Sequence, residues 1–129
     1  MTYRIPIILI ISLITLSLNA VTTVKSVDLN RYLGRWYQIA YFPTSFQPLS
    51  FGLTTAEYSL DGKGKINVVN TAYEDKAGTK IKKQATAKAW SVDKSNSKLK
   101  VRFFWPFTGD YWIVKLDKNY NYTVVSCQA

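Results

Sequence analysis

The chain has no histidine, a single cysteine, and 8 acidic residues against 17 basic ones. Each shortage excludes something. Without histidine, the commonest general base and metal ligand near neutral pH is missing. Cys127 stands alone, so no disulfide can form within the chain, and no imidazole exists to activate its thiol. Asp28, Glu57, Asp61, Glu74, Asp75, Asp93, Asp110 and Asp117 fall mostly at expected turns and strand ends, and no two of them stand out as an acid–base dyad. There is no phosphate-binding loop and no zinc-ligand spacing. Nothing in the sequence calls for catalysis, a cofactor or a metal.

Long apolar runs are scarce too. The clearest, Ile5 to Leu18, follows Arg4 and precedes Asn19-Ala20. At about 14 residues it falls short of the roughly 20 that span a bilayer. A basic start, an apolar stretch and a small residue fit a signal peptide over residues 1–20, expected as a helix outside the fold. Leu18 sits three before a cut at Ala20, where a small residue is preferred, so an uncleaved anchor to about residue 26 stays open as the alternative. No cysteine near this junction could carry a bacterial lipid anchor. The expectation is an exported domain over 27–129, periplasmic or secreted.

What is abundant is aromatic and basic. There are 4 Trp, 9 Tyr and 6 Phe, and the formal net charge is +9. A basic surface favours acidic partners such as phosphate head groups, nucleic acid or an anionic membrane, without selecting among them. Roughly 105 residues follow the signal segment, enough to bury a core.

The chain is organised around Gly34-Arg35-Trp36-Tyr37-Gln38-Ile39-Ala40-Tyr41-Phe42, a strand-like run opened by a glycine. Before it, Asp28 to Leu33 has the pattern of one capped helical turn. After it, Pro43 and Pro48 mark a long non-helical loop. Strands are expected at Leu53–Leu60, Lys65–Tyr73, Lys80–Trp90, Lys98–Phe104, Asp110–Leu116 and Tyr120–Cys127. Asp61-Gly62-Lys63-Gly64 is a strong hairpin signal. Seven short strands with regular turns make an all-β meander, either a barrel or a sandwich. In the fourth strand Ala85, Ala87 and Ala89 share one face, which leaves space where a closed core would want bulk. A barrel with a cavity accounts for this, as does a sandwich with a bulky opposite wall.

Asn30 to Ala40 resembles the Gly-x-Trp motif of the lipocalins with its preceding helical turn. Tyr111 to Tyr120 resembles that family's Thr-Asp-x-x-Tyr turn, with Leu116 in place of Thr. Thr55–Leu60, Ile66–Asn70 and Phe103–Phe107 match in order and spacing, closest to the bacterial outer-membrane lipoprotein and apolipoprotein D-like branch. The resemblance spans about residues 25–127. It implies an antiparallel up-and-down barrel of eight strands, wide enough for one small apolar ligand, with about seven strands in this chain. The family's eighth strand, the arginine over its tryptophan and its C-terminal helix have no counterpart here. The first and seventh strands would then keep open edges that invite pairing with a partner or self-association.

Matched by strand parity, the resemblance implies a ligand wall of Ala56, Tyr58, Val68, Asn70, Ala87, Val101, Phe103, Tyr111, Ile113 and Val124. Gly34, Trp36, Asp117 and Tyr120 are expected to be structural. The function implied is binding or transport of a small hydrophobic ligand, a fatty acid or a lysophospholipid, with membrane association through the basic surface. The alternatives are a non-binding remnant, or an interaction module working through its open edge. A nucleic-acid binder using Lys80, Lys82, Lys83, Lys88, Trp90 and Arg102 is disfavoured by export.

Overall fold

The computed structural model describes residues 7–10, 21–41 and 52–128. The expected loop around Pro43 and Pro48, and Phe42, lie outside them. The elements are β1 (Ile7–Ile10), α1 (Leu29–Tyr32), β2 (Gly34–Tyr41), β3 (Thr54–Leu60), β4 (Ile66–Tyr73), β5 (Ile81–Ser91), β6 (Lys98–Arg102), β7 (Gly109–Leu116) and β8 (Tyr122–Gln128). Strands β2 to β8 pair in chain order, each antiparallel to the next, and the sheet closes into a barrel.

Closure comes from an unexpected quarter. β1 lies inside the segment expected to be a signal helix outside the fold. In the full chain it is a strand, parallel to both neighbours, with Ile7 opposite Tyr37 on β2 and Tyr122 on β8. The edges of β2 and β8 are therefore not open, as expected, but bridged. An extended apolar segment can satisfy a bare edge through backbone hydrogen bonds alone, so edge pairing need not be specified by side chains.

The acids explain the turns. Asp61 accepts backbone N–H bonds from Lys63 and Lys65 at 2.7 and 3.1 Å, Asp75 from Thr79 and Lys80 at 3.1 and 2.9 Å, and Asp117 from Asn119 and Asn121 at 3.3 and 3.2 Å. Asp93 accepts from the backbone N–H of Ser95 at 2.9 Å. Aspartate favours this arrangement because its short side chain reaches the amides that follow it. These amide donors hold the Asp61 and Asp75 carboxyls below their usual range, and for Asp93 the Ser95 hydroxyl leads.

Two glycines are dictated by geometry. Gly34 has φ +113°, which only glycine adopts freely, and it reverses the chain from α1 into β2. Gly52 passes so close to Asp75 that a Cβ would lie 2.5 Å from the Asp75 carbonyl oxygen.

Two expected strand boundaries shift. The last strand begins at Tyr122, not Tyr120, because Tyr120 sits in the turn at φ +58°. β6 ends at Arg102 rather than Phe104, since its pairing stops at Arg102–Lys88 and Val101–Gly109. Between Ile113 and Lys115 a bulge interrupts the β7–β8 register, and the Ile113 carbonyl accepts from the Val24 amide at 3.0 Å. Val27 bonds to the Ser95 carbonyl at 2.8 Å, so the segment before α1 is tied to the barrel.

Candidate functional site in the barrel interior

α1 and Gly34 aim the first aromatic residues into the barrel. The Asp28 side chain caps the helix through the Asn30 amide at 3.0 Å, and the Asp28 amide donates to the Tyr120 hydroxyl at 2.9 Å. One helical turn puts Leu29, Tyr32 and Leu33 on the face that packs against the core, leaving Asn30 and Arg31 exposed. Arg31 then lies over the Tyr120 ring at 4.2 Å. Tyr120 thereby ties the β7–β8 turn to α1, and Asp117 closes that turn through the Asn119 and Asn121 amides.

Trp36 is 2% exposed, and its indole N–H donates to the Tyr32 carbonyl at 2.7 Å. Its ring lies 4.8 Å from that of Tyr32. Tyr32, Tyr58 and Tyr111 continue inward as an aromatic cluster, with ring centroids 5.8 and 6.0 Å apart. Such pairs add about 0.5–1.5 kcal/mol beyond their burial.

Their hydroxyls meet at Tyr111, which shares a hydrogen bond with Tyr32 at 2.7 Å and another with Tyr58 at 3.0 Å. Thr123 on β8 donates to the Lys115 carbonyl at 2.9 Å. Burial pushes all three phenols well above their ordinary range, and it pushes the Cys127 thiol, beside Tyr111 on β8, up to about 11. The interior groups are neutral, and the thiol is a protonated, apolar-like wall residue rather than a nucleophile.

The enclosed space beside this cluster is small. It measures about 20 Å³, room for about one water, and is lined among others by Tyr32, Tyr58, Val68, Leu99, Val101 and Tyr111. Among the described residues, no charged side chain lines it. The hollow expected from the sequence is, in this part of the barrel, filled by tyrosine rings.

Of the expected wall residues, Tyr58, Val68, Val101 and Tyr111 line this space, and Ala56, Ala87 and Ile113 belong to the same core. Asn70 is half-buried between Ala56 and Ala85. Two are displaced. Phe103 lies beyond the end of β6 and is 44% exposed. On β8 it is Val125, at 0% exposure, that joins the core, with Cys127 packed against it, and Val124 has the opposite parity. Apolar residues occupy both parities of Tyr122–Cys127, so alternation could not choose between them. Tyr32 and Thr123 were missed. The helical spacing of Leu29, Tyr32 and Leu33 was the available signal for Tyr32, and Thr123 carried none.

Three of the basic residues weighed for nucleic acid are engaged separately. Lys80 pairs with Glu74 at 2.7 Å, Lys88 with Asp61 at 3.2 Å, and the Arg102 guanidinium lies 5.2 Å from the Trp90 ring centre. Among the described residues, no group of three or more His, Cys, Asp or Glu could hold a metal ion, and no helix is long and apolar enough to cross a membrane.

A family model described as "Lipocalin-like domain" matches residues 27–128. The chain belongs to the lipocalin family. It is 40% identical over 109 residues to the outer membrane lipoprotein Blc of Vibrio cholerae, covering 83% of this chain and 62% of that protein. It is 35% identical over 109 residues to temperature-induced lipocalin-1 of Arabidopsis thaliana, covering 79% and 58% respectively. Apolipoprotein D of Bos taurus is 33% identical over 105 residues, covering 80% of this chain and 53% of the relative. The lipocalin chain spans about three fifths of the length of the first of these curated relatives. The Blc and apolipoprotein D branch is the one its motifs resemble.

Proposed function

We propose that this lipocalin binds and carries a small hydrophobic ligand, a fatty acid or lysophospholipid, without catalysis, in an exported compartment. One observation carries the reading: a lipocalin barrel whose inner wall is apolar, uncharged and methyl-sized along β5. Ala87 and Ala89 are buried there, and Ala56 packs on the same core from β3. An acyl chain buried against them gains about 0.8 kcal/mol per CH₂ before losses. The neutral tyrosines would form the floor, and a charged head group would stay at the rim, because burying it unpaired is costly. The relatives named outer membrane lipoprotein support export, and a signal peptide over residues 1–20 would supply its means.

The test is native mass spectrometry of the protein as purified and after lipid extraction, with a titration of a fluorescent fatty acid. Uptake at one site per chain, insensitive to salt and blocked by Ala87→Phe in a variant that still folds, is the expected result. No uptake, or uptake that Ala87→Phe leaves unchanged, overturns the reading.

A second reading has its own support. β1 occupies the slot between β2 and β8 through backbone pairing on both sides. Such a slot accepts an extended segment, and a chain lacking residues 1–20 would present it to a partner strand.

A further inference from the structure

Every outward position of β6 carries a cation. Leu99 is in the core and Val101 packs against it, so Lys98, Lys100 and Arg102 point away from the barrel. Alternate residues of a strand recur about every 6.8 Å. The neighbouring strands widen the row. On β5, Trp90 stands opposite Lys100 and Lys88 opposite Arg102, and on β7 Trp112 stands opposite Lys98. Like charges directly opposite each other, as Lys88 and Arg102 are, weaken a sheet. Stability alone gives no reason for this wall.

The indoles hold the cations in place. Lys98 Nζ lies over the Trp112 ring at 4.8 Å. Lys65 Nζ, just before β4, and the Arg102 guanidinium lie over the Trp90 ring at 5.1 and 5.2 Å. None of these three cations forms a salt bridge among the described residues. Arg102 Nε is covered, without a hydrogen-bond partner among those residues. The carboxylates nearby are occupied. Asp110 pairs with Lys100, Asp61 with Lys88 and with the amides of its own turn, and Asp93 is turned onto Ser95. The result is a positive field on one outer wall. Long side chains already resting on rings lose less freedom when an anion arrives.

The same contacts select the occupant. Single-stranded nucleic acid is gripped by bases stacking on open aromatic faces, and here cations lie over the rings. A bilayer takes up aromatic side chains at its interface, and Trp90 and Trp112 are half-buried in the wall. The wall offers a straight row of positioned charge, which suits a linear polymer with anionic groups repeated along its length. We propose that the outer wall of β5–β7 binds an acidic polysaccharide, with its carboxylates or sulfates seated on Lys65, Lys98 and Arg102. This surface is on the other face of the sheet from the barrel interior, so it does not depend on a ligand there.

The test titrates the full chain with dextran sulfate, polygalacturonate, uncharged dextran and oligo(dT), at low and at physiological salt. The first two distinguish sulfate from carboxylate. Binding is expected to one or both of them and not to dextran, and it should weaken as salt rises. K98Q/R102Q should lose about fivefold or more in affinity. K76Q/K118Q, which removes the same charge at exposed turn positions, should lose less. W90L changes no charge and should also weaken binding, because Lys65 and Arg102 lose the ring that holds them. Thermal melts check that each variant is folded. Equal losses in K98Q/R102Q and K76Q/K118Q would make the attraction a matter of net charge and overturn the proposal. So would tighter binding to oligo(dT) than to either acidic polysaccharide, or no binding to them at low salt.

Discussion

Removing the central hydroxyl of the tyrosine cluster should cost more than removing an outer one. Tyr111 shares hydrogen bonds with both Tyr32 and Tyr58. In Tyr58→Phe one bond is lost, and Tyr111 keeps its bond with Tyr32. That costs about 1 kcal/mol. In Tyr111→Phe two bonds vanish, and the Tyr58 hydroxyl loses its partner in a buried setting. Two lost bonds and an unsatisfied buried hydroxyl together give about 2–4 kcal/mol. In the triple variant Y32F/Y58F/Y111F the same two bonds vanish and no phenolic hydroxyl is left unsatisfied. Its cost should not exceed that of Tyr111→Phe, although it removes three hydroxyls. Urea unfolding of the four proteins at neutral pH, with unchanged slopes, measures this directly. Equal costs for Tyr58→Phe and Tyr111→Phe would refute the central place of Tyr111, and so would a triple variant whose cost is the sum of its parts.

Alkaline pH should unfold the protein early. The Cys127 thiol ionises near 9.0 in the unfolded chain and at about 11 in the fold. Its contribution is intact below pH 9 and lost as pH rises towards 11, on the order of 2 kcal/mol. The three buried tyrosines, raised above their ordinary 10.0, extend the loss above pH 10. A pH series of urea midpoints that stays flat to pH 11 would contradict this, and Cys127→Ala should soften the first part of the decline. Deleting residues 1–20 removes β1 and bares the edges of β2 and β8, so light scattering should report concentration-dependent association that the full chain does not show. A monomer at every concentration would mean those edges close without it. Gly52→Ala forces a Cβ against the Asp75 backbone and should lower stability by about 1–3 kcal/mol in thermal melts.

Much of the fold was legible in the chain. Alternation placed seven strands within a residue or two, except where Tyr120 adopts positive φ and where β6 stops early at Arg102. The turn aspartates announced themselves because an aspartate followed by small or polar residues closes its own turn. The barrel's inner face was legible in part. Parity put Tyr58, Val68, Val101 and Tyr111 on it, and parity holds while the ladder is regular. Val124 failed because apolar residues occupy both faces of β8, beside a bulge in β7. Phe103 failed because nothing local says that its strand has ended.

The sequence by itself determined the strand pattern, the turn chemistry, the helical turn ahead of Gly34 and the family, because these rest on neighbours within a few residues. It also settled that the interior would be apolar and without histidine. Tertiary structure decided how full that interior is, since Tyr32, Tyr58 and Tyr111 come from α1, β3 and β7 and meet only when the sheet curls. It decided as well that an N-terminal apolar segment bridges β2 and β8. Backbone edges carry no side-chain address, so which segment pairs with them depends on what the closed sheet leaves within reach.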